Sequence, residues 1–447
     1  MSVPTATGPA TFSPAGPGDP RLGRRAWTSL VLLGFVGQLA WAVENMYLNV
    51  FVHDTITDDP TAIATMVAAS ALAATAATVL IGAISDRSGR RRAFIAGGYL
   101  AWGVATAAFG LLTVDGIAAL APAADAVLLA LLAVIALDCL MSVFLGSGAN
   151  DAAFQAWVTD VTRPANRGRV ESVLAAMPLL AMLAVFGGFD GLTRAGQWRT
   201  FFLIVGGIIA AVGVLAWFLV RDEPVPVRRG ERLLGSMLHG LRPAAVRANP
   251  RLYLALAAWS IWGVSTQVFL PYLIIYLQRY LDIGGYALVL GVVLLGASLV
   301  SVVVGRFIDR MGRVSFLLAA VAVYAAGLFS MYLARGTGQV IAAGLLMMSG
   351  FMLVLAPIGA LVRDFSPPER AGHVQGLRMI FAILVPMVVG PYLGAAVING
   401  AGETYTDLGV VKQVPTPGIF LAALAVLALI LVPVLALRRR YDSATRG

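Results

Sequence analysis

Apolar residues run through this chain in long blocks, without the short alternating or one-sided stretches of a soluble fold. The first block, from Trp27 to Val52, is long enough to cross a bilayer, which takes about twenty residues as a helix. Hydropathy predicts twelve such helices. The first six fall near 28–52, 61–85, 93–113, 134–158, 170–193 and 199–220. The second six fall near 252–277, 284–308, 314–334, 338–362, 374–398 and 417–437. The expected organisation is a disordered tail over 1–26, a six-helix bundle over 27–220, a linker over 221–250, a second bundle over 251–437 and a tail over 438–447. Residues 1–26 are rich in Pro, Gly, Ala and Thr, a composition that buries no core. The first apolar block is too long for a cleavable leader.

Composition agrees: 59% of the 447 residues are hydrophobic and 12% are charged. Soluble domains run at roughly 45–50% and 25%. The net charge of +9 would suit nucleic acid, but the basic residues sit beside the spans. With the N-terminus inside, 26 of the 32 Lys and Arg residues face the cytosol, while the first two external loops hold only acids such as Asp54, Asp58, Asp59 and Asp115. This positive-inside bias places both termini in the cytosol of a cell that carries the protein in its plasma membrane, and removes nucleic acid as a partner. The linker, with Arg228, Arg229, Arg232, Arg242 and Arg247, reads either as an amphipathic piece on anionic lipid around 231–242 or as a solvated connection. A single cysteine, Cys139, and three histidines, His53, His239 and His373, make neither a disulfide framework nor a metal site. No phosphate-cradling or zinc-protease motif occurs, so neither an enzyme nor a cofactor is expected.

The halves repeat. Gly82-Ala-Ile-Ser-Asp86-Arg87-Ser-Gly89-Arg90 follows the second helix, and Gly305-Arg-Phe-Ile-Asp309-Arg310-Met-Gly312-Arg313 follows the eighth. Trp41 and Glu44 in the first helix match Trp262 and Ser265 in the seventh, and Asp160 with Arg167 matches Asp364 with Arg370. Two six-helix units of equal orientation form a parallel repeat about an axis normal to the membrane. With its G-x-x-x-D-R-x-G-R motif present twice, the chain resembles the major facilitator superfamily over nearly its whole length. The resemblance implies an all-α, two-bundle transporter with a central cavity and alternating access. It also implies a cytosolic gate at Gly82, Asp86, Arg87, Gly89, Arg90, Gly305, Asp309, Arg310, Gly312 and Arg313, which ties the cytosolic ends when the carrier faces outward. The glycines permit close helix approach there, and the arginines suit the negative ends of the preceding helices. A finer likeness joins Glu369-Arg370…Arg378-Met-Ile-Phe381-Ala382 and Tyr47-Leu-Asn-Val-Phe51-Val-His-Asp54 to the glycoside–pentoside–hexuronide:cation symporters. That family's aspartate pair in the second helix falls here at Ala74 and Thr78, which argues against sodium coupling.

Ionisable groups inside a bilayer are costly and mark function. Glu44 stands about 24 Å into the first span at 1.5 Å per residue. With Gln38, Trp41, Asn45 and Asn49 it forms a stripe about 140° wide, suited to a cavity wall that binds solute or a proton, or to a polar tie between helices. Asn150 and Asp151 are expected on the inner half of the fourth helix, and Asp138 near the outer surface as an interfacial or gate carboxylate. The second half offers Trp259, Trp262, Ser265, Thr266, Gln267, Tyr272 and Tyr392, good stacking and hydrogen-bonding faces for sugars or amphipathic solutes. Arg378 is expected to snorkel to the cytosol, and Pro178, Pro271, Pro357 and Pro386 to bend their helices. The expected function is a monomeric secondary transporter, proton-coupled, for a small organic solute. A drug- or metabolite-efflux antiporter and a non-transporting receptor are the alternatives. Antiport is weakened by the lack of a G-P-x-x-G-G run in the fifth helix, which carries Met177-Pro178-Leu-Leu.

Overall fold

The computed structural model describes residues 22–88, 91–122, 124–144, 149–162, 164–221, 242–305, 312–366, 371–407 and 410–444. The amphipathic piece expected around 231–242 lies almost wholly outside them. Eleven helices among the described residues are long and apolar enough to cross a membrane. The helix Arg91–Phe109, bent by 85° into the short Val114–Leu120, makes the twelfth.

We number the spans α1 Arg24–Thr55, α2 Pro60–Ser88, α3 Arg91–Phe109, α4 Ala126–Phe144 with Ala149–Val161, α5 Pro164–Arg194 and α6 Trp198–Leu219. The second half follows with α7 Pro250–Tyr280, α8 Tyr286–Gly305, α9 Arg313–Leu333 and α10 Thr337–Asp364. Then come α11, Ala371–Met379 continued through Ala401, and α12, Gly418–Arg439. The end at which α1 begins is called proximal and the other distal.

Packing carries the repeat. Within the first half α1 lies on α5, α2 on α4 and α3 on α6; within the second α7 lies on α11, α8 on α10 and α9 on α12. Between the halves α2 meets α11 and α8 meets α5, again related by six helices. The physical basis is side-chain size where backbones must approach. At the α3–α6 crossing, a Cβ on Gly103 would stand 2.5 Å from the Gly206 carbonyl oxygen, and one on Gly206 would stand 2.5 Å from the Ala107 nitrogen. Both clashes are with backbone, so no rotamer relieves them. Gly103→Leu is therefore expected to push α3 off α6 and destabilise the fold by about 1–3 kcal/mol or more. Thermal unfolding in detergent at the wild-type temperature would contradict this.

Among the described residues three spans contain a turn of π-helix: Val43–Tyr47 in α1, Tyr276–Tyr280 in α7 and Ile380–Leu384 in α11. Such a widened turn re-aims side chains and is common at functional positions. Proline stands at two irregular places: Pro271 in a 3-10 turn of α7, Leu270–Tyr272, and Pro386 one residue after Val385, which follows the α11 π-turn, whereas Pro178 and Pro357 lie inside continuous helices.

Differences from the sequence expectation are informative. The first span is 32 residues long, not 25, and the fourth begins at Ala126 rather than 134. A β-hairpin between α11 and α12, which hydropathy does not register, pairs β1 Thr404–Asp407 with β2 Val410–Gln413, antiparallel, with Tyr405 opposite Lys412. Gly402, at φ +64°, ends α11 and turns the chain into it.

Candidate functional site

A cavity of about 340 Å³ opens among α1, α3, α4 and α5. Gln38, Trp41 and Gly37 of α1 line it with Tyr99 and Trp102 of α3, Phe154 and Gln155 of α4, and Pro178 of α5. Four aromatic side chains, with the amides of Gln38 and Gln155 from two different helices, can stack against a ring and hydrogen-bond its substituents. Trp41 is 41% exposed although it belongs to a membrane span. Tyr99 donates its hydroxyl to the Leu33 carbonyl at 2.5 Å, which fixes the ring against α1. Of the expected stripe, Gln38 and Trp41 reach this cavity.

The rest of the stripe is rearranged by the π-turn. Asn45 donates to the Trp41 carbonyl at 3.0 Å and Asn49 to the Asn45 carbonyl at 2.9 Å, so both amides bond back onto their own helix. Asn49 is 1% exposed, and its Oδ1 is buried without a hydrogen-bond partner among the described residues. Glu44 points instead at α4. Ser142 donates to Glu44 Oε1 at 3.2 Å, and Asp138, one turn before Ser142 on the same helix, lies within charge–charge range of Glu44.

Asp138 is thus not the surface carboxylate expected from the sequence: it is 2% exposed, and its Oδ1 has no hydrogen-bond partner among the described residues. The reason is geometric. Asp138 stands about 35 Å from the proximal end of α4 at 1.5 Å per residue. Glu44, about 30 Å into the lengthened α1, stands at a similar depth. Spacing held this signal, but only the position of α1 beside α4 turns two isolated acids into a pair.

Asn150 and Asp151 lie on the second segment of α4, and their side chains fall outside the described residues. In the second half, Trp262 stacks on Phe351 at 4.7 Å between centroids, with its indole N–H buried and unpartnered among the described residues. Ser265 donates to the Ala423 carbonyl of α12, and Thr266 pairs with Tyr324 of α9. Both therefore turn into the packing of their own half. The Cβ of Gln267 lies against Gly390 of α11, at the α7–α11 contact. Arg378 lies over the Trp259 ring at 5.1 Å.

Tyr392 and Tyr272, expected as solute contacts, join the halves at the distal side. Tyr272 donates to the carbonyls of Pro60 and Pro391, Tyr392 pairs with Thr65 at 3.0 Å, and Asn399 donates to Thr61 at 3.1 Å. Asp190 of α5 accepts from Tyr286 of α8, and from Tyr47 of its own half at 3.4 Å. Asp54 of α1 forms an ion pair with Arg279 of α7 at 3.1 Å. Among the described residues no hydrogen bond or ion pair joins the halves at the proximal end.

Of the expected gate, Gly89, Arg90, Asp309 and Arg310 lie outside the described residues, as do the side chains of Asp86 and Arg87; the backbone places Gly82, Asp86 and Arg87 in the last turns of α2. Gly305 closes α8, and Gly312, at φ +77°, precedes α9. Arg313 forms an ion pair with Asp364 at the end of α10, and Arg91, which opens α3, pairs with Asp160 of α4 at 3.5 Å. The two pairs are counterparts across the repeat, and each ties helices of one half. The sequence match of Asp160 with Asp364 reports these ties.

Comparison with known proteins follows the same lines. The family model described as Major Facilitator Superfamily matches residues 30–384 and, in a second alignment, 281–446. No curated protein matches the chain in sequence. A point mutant of the nucleoside transporter NupG is similar in structure, with a TM-score of 0.70 at 13% identity over 92% of this chain and 99% of that one. A bacterial homologue of the human lysosomal transporter Spinster, in an inward-facing and unoccupied conformation, has a TM-score of 0.59 at 16% identity, over 94% and 97% of the two chains. At such identities the structures share a fold. Twelve spans, a six-helix repeat written into the packing and a family match over most of the sequence lead to one statement: the chain is a membrane transporter of the major facilitator superfamily.

Proposed function

We propose that this protein is a proton-coupled secondary active transporter, a symporter in the plasma membrane with its proximal end and both termini in the cytosol. The observation that carries the reading is the pairing of partly accessible Glu44 on α1 with buried Asp138 on α4, close to a ring-sized cavity walled by Gln38, Trp41, Tyr99 and Trp102. Two carboxyls that share a low-dielectric site are far easier to keep with one proton between them than with none. Ser142 orients Glu44 towards α4, so the pair holds a proton at a defined place. Its binding and release bias the two facings of the carrier.

Stacking faces with amide hydrogen-bonding groups suit an uncharged, ring-bearing solute such as a sugar or a nucleoside, and nucleosides are the solute named for NupG. The halves, 27–220 and 251–437, act as rocking bodies. The distal contacts close one face, and the duplicated motif around Asp86 and Asp309 closes the other in the alternate facing. A single chain holds both halves, so a monomer suffices.

The test is flux. Purified protein is screened by thermal shift against sugars and nucleosides, and the stabilising compound is then offered to proteoliposomes that enclose a pH indicator. Entry of solute with internal acidification supports symport. Solute-driven alkalinisation shows antiport and efflux, and binding without flux shows a receptor.

A further inference from the structure

The halves repeat in sequence and in packing, so the walls of the first-half cavity have counterparts in the second half. Trp41 of α1 matches Trp262 of α7, and one turn earlier Gln38 matches Trp259. Arg91 and Arg313, which hold equivalent ion pairs, open α3 and α9, and eleven residues on stand Trp102 and Tyr324. Asp160 matches Asp364, and five residues before them stand Gln155 and Gly359. In the first half Gln38, Trp41, Trp102 and Gln155 all line the cavity of about 340 Å³.

In the second half the chain puts its own rings at this place. Phe351 of α10 stacks on Trp262, with planes 27° apart, and meets Tyr324 edge-on at 6.3 Å and 65°. Trp259 lies against Gly359, its Cη2 3.8 Å from where a Cβ would stand. Trp259, Trp262 and Tyr324 are all buried. The first half lacks these rings. The amide of Gln38 stands in place of Trp259. The residue matching Phe351, thirteen before the aspartate, is Ser147, which has no ring to offer and lies outside the described residues. Thr266 ties α7 to Tyr324 of α9, whereas its counterpart Asn45 donates back to the Trp41 carbonyl. Trp41 is left 41% exposed and stacks on no ring among the described residues.

We propose that the solute's ring takes in the first half the place that Phe351 takes in the second, between Trp41 and Trp102, and that the solute is a nucleobase or its nucleoside, held by the first half alone. The site rests on the reading of this cavity as the solute's, and not on the Glu44–Asp138 pair. A dry cavity of about 150 Å³ holds benzene, so one of about 340 Å³ takes fused rings or a ring with a substituent. No charged side chain among the described residues lines it, which suits an uncharged guest. Stacked and edge-on packing both use the charge distribution of an aromatic ring, which a saturated sugar does not have. The amides of Gln38 and Gln155 each set a donor beside an acceptor, the pattern that pairs with a nucleobase edge. With its own place filled, the second half takes no further copy, and one solute is bound per chain.

The experiment is titration calorimetry on the purified full-length chain with adenosine, uridine, adenine and uracil, and with D-ribose and D-glucose as rings without an aromatic face. At least one of the first four should bind, at one site per chain, and neither sugar should. Trp41→Leu removes a partly exposed stacking wall and should weaken binding by about fivefold to a hundredfold, the usual worth of a base stacked on an aromatic side chain. Gln38→Trp gives the first half the ring that the second carries there, and should abolish binding with cooperative unfolding retained. Should that variant not fold, Trp41→Leu decides. Phe351→Leu alters only the filling of the second half and should bind as wild type does. A sugar bound as tightly as the nucleosides, no binding by the four aromatic probes, or wild-type affinity in Trp41→Leu or Gln38→Trp would each overturn the site. So would a Phe351→Leu variant weakened as much as Trp41→Leu, because the solute would then touch both halves. Proton-driven sugar uptake without nucleoside binding would overturn the site and leave the symporter standing. Nucleoside binding of the expected pattern without flux would do the reverse.

Discussion

Glu44→Gln is expected to abolish proton-driven accumulation while leaving solute exchange intact. Asp138 is 2% exposed, whereas Glu44 is partly accessible, so under the proposed coupling Glu44 is the member that exchanges the proton. Glutamine keeps the size of the side chain and an oxygen for Ser142, but it cannot titrate. A gradient of about two pH units is worth about 2.7 kcal/mol per proton, or about a hundredfold accumulation for one-to-one coupling. The variant should fall to no accumulation in proteoliposomes. Counterflow of labelled against unlabelled solute should continue, because a loaded carrier that only reorients needs no proton release. Accumulation at the wild-type level would refute the role of Glu44. Loss of both activities with a lowered thermal-unfolding temperature would show a polar tie between α1 and α4 instead.

Tyr286→Phe should shift the carrier towards the facing in which its distal side is open. Asp190 accepts from two tyrosines, but only one of those bonds crosses between halves: Tyr286 belongs to α8, while Tyr47 and Asp190 both belong to the first half. Opening breaks the first and spares the second. A buried hydrogen bond to a carboxylate is worth about 1.5–3 kcal/mol, so its loss changes the ratio of the facings by about tenfold or more. Tyr47→Phe removes a hydroxyl of the same kind from the same oxygen and should leave the ratio near wild type. The reading is the rate at which a distal cysteine at Ala195 reacts with a membrane-impermeant maleimide, compared with a distal pair that does not contact Asp190. Equal effects of the two phenylalanines would show that Asp190 only stabilises its own helix, and that the α5–α8 seam is not part of the gate.

Two of the features these experiments address were unequally visible beforehand. Glu44 announced itself, because one carboxyl among apolar neighbours has no cheap place in a bilayer. Its partner did not. Counting residues from the assumed end of the fourth span put Asp138 at the far surface, and nothing in the local sequence of α4 says that α1 passes beside it. The chemistry of Tyr392 and Tyr272 suits a solute contact and a seam between the halves equally well, and only the fold places them against Thr65 and Pro60 of α2. The hairpin left only a weak alternation from Thr404 to Gln413, too short and too polar for a hydropathy window built around helices.

What the sequence determined by itself is the class and the plan: twelve spans and a repeat of six helices. Those follow from properties that are local or periodic, since a span must be apolar over about twenty residues wherever it lies. The match of Asp160 with Asp364 also carried through, as ion pairs to Arg91 and Arg313 at equivalent corners of the halves. The tertiary structure alone decided which polar residues meet. Glu44 joins Asp138 across α1 and α4, Asn45 and Asn49 turn back to their own helix at a π-turn, and His53 is pinned by a strand 360 residues away. A side chain's partner depends on the rotation and depth of two helices at once. Small residues such as Gly103 and Gly206 set those through packing, which no span encodes alone.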